Sequence, residues 1–168
     1  MIFAVDVQYL NAIGFAAGVQ FEDWKDEKPV SCYTEIIENI HEYIPGQFYK
    51  RELPCIMALL TKLETRPDII VVDGFVYLGG ENKPGLGAYL YSELQETVPV
   101  IGVAKRPFHN TPKNFRIFRG KSKNPLYISA AGIDLEVAKK KIGSMYGPYR
   151  IPEMLKTVDR LCRDLVKK

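Results

Sequence analysis

Two short runs in this chain are apolar on both faces, and they decide what kind of sheet it can build. Ile69-Ile70-Val71-Val72, closed by Asp73-Gly74, shows no polar alternation, and Val98 to Ala104 repeats the pattern. A strand with one wet face alternates. A strand apolar throughout must be covered on both sides, as in the middle of a parallel sheet between helix layers. Before these runs, Ile2 to Val7, Ala12 to Phe21 and Val30 to Ile37 read as an antiparallel meander with short connections. A helix follows whose first turn accepts Pro54 and whose apolar positions are Ile56, Leu59, Leu60 and Leu63. A second helix is expected over Gly85 to Thr97, after a Gly-rich loop. Asn114 to Phe118 and Pro125 to Ser129 suit a hairpin, Asp134 caps a helix to Gly143, and Pro152 opens a last helix ending near Val166. The expected fold class is α/β: a mixed sheet, three antiparallel strands and then parallel strands, flanked by helices in one domain over residues 1–168.

With 46% hydrophobic and 26% charged residues the chain has the balance of a globular protein rather than a disordered one. Its apolar runs are too short to cross a bilayer, so no membrane partner is expected. The start meets an acid at Asp6 with no preceding basic residue, which does not read as a signal peptide. Three scattered cysteines without a CxxC pair exclude a zinc ribbon or a disulfide scaffold, and reduced thiols in a cytoplasmic monomer are expected. The net charge is only +3, but the window from Lys105 to Tyr127 holds seven basic residues and no acid, leaving the remainder of the chain at −4. Arg116, Arg119 and Lys121 belong to that block. It suits an anionic partner, most commonly nucleic acid; a solvated lysine-rich loop accounts for the same charge.

Asp6 is the residue that most demands a function. A carboxylate within Phe3-Ala4-Val5-Asp6-Val7 falls in what should be a central strand, where an ionised group needs a cation or hydrogen bonds. Asp73 ends the next apolar strand, where open α/β sheets place their sites. If the two strands are neighbours, the carboxylates face each other, and a divalent metal relieves the repulsion. Glu52 opens the first helix, where the helix dipole alone favours an acid; alternatively it completes an Asp/Glu/Asp cluster. Asp73 likewise reads as a turn residue when taken alone. Oxygen-only ligands select Mg²⁺ or Mn²⁺ over zinc and suit phosphodiester hydrolysis.

Six strings now make the chain resemble the endonuclease V family. They are Ala4-Val5-Asp6-Val7-Gln8-Tyr9; Tyr43-Ile44-Pro45-Gly46 with Arg51-Glu52-Leu53-Pro54; Val71-Val72-Asp73-Gly74; Ile101-Gly102-Val103-Ala104-Lys105; Asn124-Pro125-Leu126-Tyr127-Ile128-Ser129; and Tyr149-Arg150-Ile151-Pro152. The resemblance spans nearly the whole chain. It implies an RNase H-like fold and a Mg²⁺-dependent endonuclease, with Mn²⁺ as a substitute, that nicks DNA or RNA near inosine. The implied partner is a single-stranded or lesion-containing nucleic acid. By this likeness Asp6, Glu52 and Asp73 are the metal carboxylates, and Lys105 contacts the phosphate at the cut. Tyr43, Ile44, Pro45 and Gly46 are the wedge that fills the space of an extruded base, and Gly74 and Gly102 let that base approach the backbone.

The chain departs from the family where histidines usually follow the Asp-Gly string, reading Asp73-Gly74-Phe75-Val76-Tyr77-Leu78 instead. An aromatic pocket using Phe75 and Tyr77 would bind another base or stack without reading its edge. His41 and His109 read as surface or loop residues. Asp134 is either a fourth metal-site residue or the cap of its helix. The chain opens at its first strand, without the helical extension the family usually has. Two other readings remain at this point: a relative that binds nucleic acid or a protein partner without cleaving, and an RNase H-like nuclease for another structured substrate.

Overall fold

The computed structural model describes residues 1–40, 44–45 and 47–167. The meander forms as expected: β1 (Ile2–Leu10), β2 (Ile13–Phe21) and β3 (Ser31–Ile37) pair antiparallel in order. β1 runs three residues beyond Val7 because Asn11 takes φ 55, closing a two-residue turn in which Leu10 pairs with Ile13. An Asn at positive φ is what such tight hairpins favour. α1 (Tyr49–Leu60) starts before Pro54, so the proline sits inside it, on an exposed position.

β4 (Ile69–Asp73) and β7 (Val100–Ala104) are the doubly apolar runs, and both lie at the centre of the sheet, parallel to β1. Between them, the supposed loop holds a small hairpin, β5 (Tyr77–Leu78) with β6 (Lys83–Pro84), followed by α2 (Leu86–Glu93). α2 ends before Thr97 because Gln95 and Glu96 both adopt φ 56. β8 (Arg116–Ile117) and β9 (Leu126–Ala131) form the expected hairpin, and β9 also pairs antiparallel with β7. The meander therefore has an antiparallel counterpart at the far edge, in the order β3-β2-β1-β4-β7-β9-β8.

Alternation along the strands divides the core in two. Phe3, Val5, Ile70, Val72 and Val100 face α1 and α2, where Cys55, Ile56, Leu59 and Leu90 cover them. Ala4, Val71, Ile101, Val103 and Ile128 face α3 (Leu135–Ser144) and α4 (Glu153–Val166), which contribute Ala138, Ile142, Met154, Val158 and Cys162. No helix among the described residues is long and apolar enough to cross a membrane.

The segment after Asp73 is clamped onto the sheet. Val76 N–H donates to the buried Ser129 Oγ at 2.8 Å. Beneath it, a Cβ on Gly102 would lie 2.6 Å from Gly74 O and 2.8 Å from Val76 N. Replacing Gly102 with Ala is expected to destabilise the fold by about 1–3 kcal/mol. Gly143→Ala, where a Cβ meets nothing within 4 Å, should be neutral or slightly stabilising. Denaturant midpoints of the two variants check this.

Candidate active site at the carboxyl ends of the central strands

β1 and β4 pair parallel up to Val5 beside Val72, so one further step sets Asp6 beside Asp73 on strands about 4.8 Å apart. Glu52, in the first turn of α1, comes over the sheet end from the helical layer on the other side. Asp6, Glu52 and Asp73 line one narrow cavity, walled by Val5, Val7, Ile56, Val72 and Leu86. A second small cavity shares Asp6 and Asp73 and adds Lys105, from the residue after β7, and Asp159, from α4. Asp159 escaped the sequence reading. It borders the buried stripe of Met154, Val158 and Cys162 on a strongly amphipathic helix, where an acid is ordinary; its only signal was adjacency to that stripe.

The electrostatics follow from crowding acids in a partly dry place. Burial first, then the charge of Asp73, raises the Asp6 carboxyl to about 7; Asp159 adds to this, while Lys105 and the Val7 N–H (2.9 Å from Oδ1) oppose it. Glu52 rises to about 8, again through burial, then Asp6 and Asp73, against the pull of Arg51. Lys105 Nζ donates to Asp73 Oδ2 at 2.6 Å. Burial works to discharge Lys105, but Asp73, Asp6 and Asp159 outweigh it and raise its pKa. Asp159 is held by Arg163 one turn on.

Among the described residues, no three His, Cys, Asp or Glu side chains are already arranged to hold a metal ion. The donor chemistry nonetheless fits a hard divalent cation. Three carboxylates border one cavity, two of them hold protons near neutral pH because of burial and then of one another, and a cation there satisfies what the protons and Lys105 now satisfy.

The remaining sequence candidates divide. Gly74 (φ 134) lines a third cavity of about 290 Å³, with Phe48, Tyr49, Glu52, Asp73, Phe75, Leu78, Lys83 and Phe108 among its walls. The aromatic pocket thus includes Phe75 but not Tyr77. Gly102 does not border it, since Gly74, Val76 and Ser129 occupy the space above its Cα. Asp134 is the cap of α3, its Oδ1 accepting from Val137 N–H at 3.0 Å. It also lies at the wrong end of the sheet for a metal role: Ala131, just before it, pairs with Val100 at the start of β7, whereas Asp73 pairs with Val103. Arg116 and Lys121 are exposed. Arg119 is 6% exposed, and its guanidinium is spent on backbone carbonyls, so it does not face a nucleic acid. Of the wedge, Ile44 and Pro45 are exposed, while Tyr43 and Gly46 lie outside the described residues, as does His41; His109 is exposed.

The sequence model of the Endonuclease V family matches residues 1–124. Endonuclease V of Pyrococcus horikoshii is 35% identical over 167 residues, 96% of this chain and 72% of that protein. Endonuclease V of Streptomyces avermitilis is 28% identical over 155 residues, 80% of this chain; the chain spans just under two thirds of that relative, 66%. The crystal structure of the Streptomyces protein superposes with a TM-score of 0.80, covering 99% of this chain and 81% of that one. Endonuclease V of Ciona intestinalis, solved with a 24mer DNA containing an inosine followed by a ribo-adenosine, gives 0.78 at 20% identity, over 99% and 85% of the chains. The fold they share is RNase H-like, a mixed sheet between helices.

Raised carboxyls give stability a definite pH slope. In EDTA the folded chain holds protons on Asp6 and Glu52 that the unfolded chain releases, so stability should fall as pH rises from about 4 to about 8. Asp6→Asn should flatten that slope and raise Tm at pH 8 by roughly 3–6 °C. Thermal melts across pH in EDTA measure it.

Proposed function

The chain belongs to the endonuclease V family, and from that premise we propose that it is a divalent-cation-dependent endonuclease hydrolysing a phosphodiester bond near inosine in DNA or RNA. The observation that carries this reading is the convergence of Asp6, Glu52 and Asp73 on one cavity at the carboxyl ends of β1 and β4. Mg²⁺ is the expected ion, with Mn²⁺ as a substitute, because every donor is a carboxylate oxygen. Asp6, Glu52 and Asp73 would hold it, and Asp159 would add negative charge from α4. When bound, the ion supplies a more acidic water and offsets charge on the phosphoryl and leaving oxygens.

The chain's own groups do the rest. Val5, Val7, Ile56 and Val72 keep the carboxylates partly dry, which strengthens their hold on any cation. Lys105 stays charged through Asp73, Asp6 and Asp159, and stands where its ammonium neutralises a non-bridging phosphate oxygen. The 290 Å³ cavity opens against Glu52 and Asp73, and its aromatic walls suit an extruded base held by stacking. The segment of Tyr43, Ile44, Pro45 and Gly46 serves as the wedge, Ile44 being exposed. The substrate is a single-stranded or lesion-containing strand. Residues 1–168 act as one domain, and the protein works as a monomer in the cytoplasm.

Incubation with inosine-containing single-stranded DNA and RNA, beside a junction panel, tests the reading. Cleavage next to inosine should require Mg²⁺ or Mn²⁺ and stop in EDTA. Asp73→Asn should lower kcat by about 10³ or more, and Lys105→Ala by about 10². Cleavage that survives Asp73→Asn, or needs no divalent ion, overturns the proposal. Binding without nicking under any metal points to a non-cleaving relative, and cutting of junctions alone to another substrate.

A further inference from the structure

The basic block splits into a buried hub and an exposed rim. Arg119 is the hub. Its Nη1 donates to Tyr149 O at 2.7 Å and Arg150 O at 3.2 Å, its Nη2 to Met145 O and to Gly147 O at 3.2 Å, and its Nε to Gly143 O at 3.5 Å. One guanidinium thus fixes the end of α3 and the whole connection to α4, its charge balanced by carbonyl dipoles. Backbone contact confirms the clamp: a Cβ on Gly120 (φ 59) would lie 2.2 Å from Pro148 O.

The two clamped segments present aromatic rings outward. Phe118 is 62% exposed, Tyr149 63% and Tyr146 42%. Lys156 Nζ lies 4.5 Å from the Tyr149 ring centroid, and the acid beside it, Glu153, is already paired with Lys156 at 2.7 Å. Arg116, Lys121 and Lys123 are exposed on the strand and turn that carry Phe118. Arg150 joins this surface to the site, its Nη1 donating to Lys105 O and to Pro125 O, both at 3.3 Å. Three exposed large rings in one rigid loop cluster are not needed for packing, and cations around them complement a polyanion whose bases stack.

We propose that Phe118, Tyr146 and Tyr149, flanked by Arg116, Lys121 and Lys123, form a stacking platform. It holds the substrate strand on one side of the cut, beyond the nucleotides in the site. Arg119 is its positioning residue and touches no nucleic acid. The platform rests on the nuclease reading only in that Lys105 marks the scissile phosphate.

The test uses the full chain and fluorescein-labelled inosine strands: one of about 16 nucleotides, and two shortened to about 6 on either side of the cut. Anisotropy in EDTA reads binding without cleavage. Phe118→Ala/Tyr149→Ala should weaken the long strand roughly 10-fold or more and leave unchanged the strand shortened on the platform side. Tyr149→Phe, which keeps the ring, should bind as wild type. For the double variant, kcat at saturating long strand should stay within about 2-fold, so its loss appears in KM. Unchanged binding of the long strand by the double variant overturns the platform, even if the enzyme cleaves; equal weakening of all three strands also overturns it. Length-dependent weakening in a protein that never nicks upholds the platform while the nuclease reading fails.

Discussion

Mutual repulsion between carboxylates is the constraint around which this structure is arranged. Parallel pairing of β1 with β4 leaves no freedom over where Asp6 and Asp73 go: the register that buries Val5 against Val72 sets the two acids side by side at the sheet end. Glu52 arrives from α1 and Asp159 from α4, one from each helical layer. A fold gains nothing from concentrating like charges in a partly buried place. Proton uptake by Asp6 and Glu52 and the ammonium of Lys105 are what relieve it, and a hard cation relieves it better.

The surroundings of that cluster are built to stay in place. Ser129, on an antiparallel strand added beyond the parallel pair, fixes the segment after Asp73, and Gly102 gives that segment room to lie flat on the sheet. The loop that forms one wall of the large aromatic cavity is therefore held by two strands. On the other flank, Arg119 performs the same service for the connection into α4, the helix that carries Asp159. Both loops beside the carboxylates are pinned from beneath by a polar group, with their outer surfaces left to meet a ligand.

Much of this was legible in the residues themselves. The two runs without alternation, Ile69 to Val72 and Val98 to Ala104, can only be covered central strands, and they sit there, the second strand starting at Val100. An acid in the first strand and another ending the second followed from the same pattern, because side-chain period and parallel pairing leave few alternatives. What escaped has a physical cause in each case. Asp159 lies on an amphipathic helix, where acids are expected, and only the packing of α4 on β1 and β2 brings it to the site. Arg119 sits among exposed cations, and nothing local distinguishes a guanidinium that will be buried by carbonyls from one facing solvent. Asp134 could be assigned to its cap or to the metal only once the antiparallel direction of β9 was fixed, which carries it to the opposite end of the sheet. Gly102 was read as backbone opened to a base, whereas its missing side chain makes room for a neighbouring loop.

A crystal of the protein soaked in Mn²⁺ and measured at the manganese absorption edge tests the central claim most directly. An anomalous peak bounded by carboxylate oxygens of Asp6, Glu52 and Asp73, with Lys105 turned from Asp73 or beside the new ion, is the predicted result. A cluster that stays dark while manganese binds elsewhere, with Asp6 and Glu52 unmoved, would contradict it.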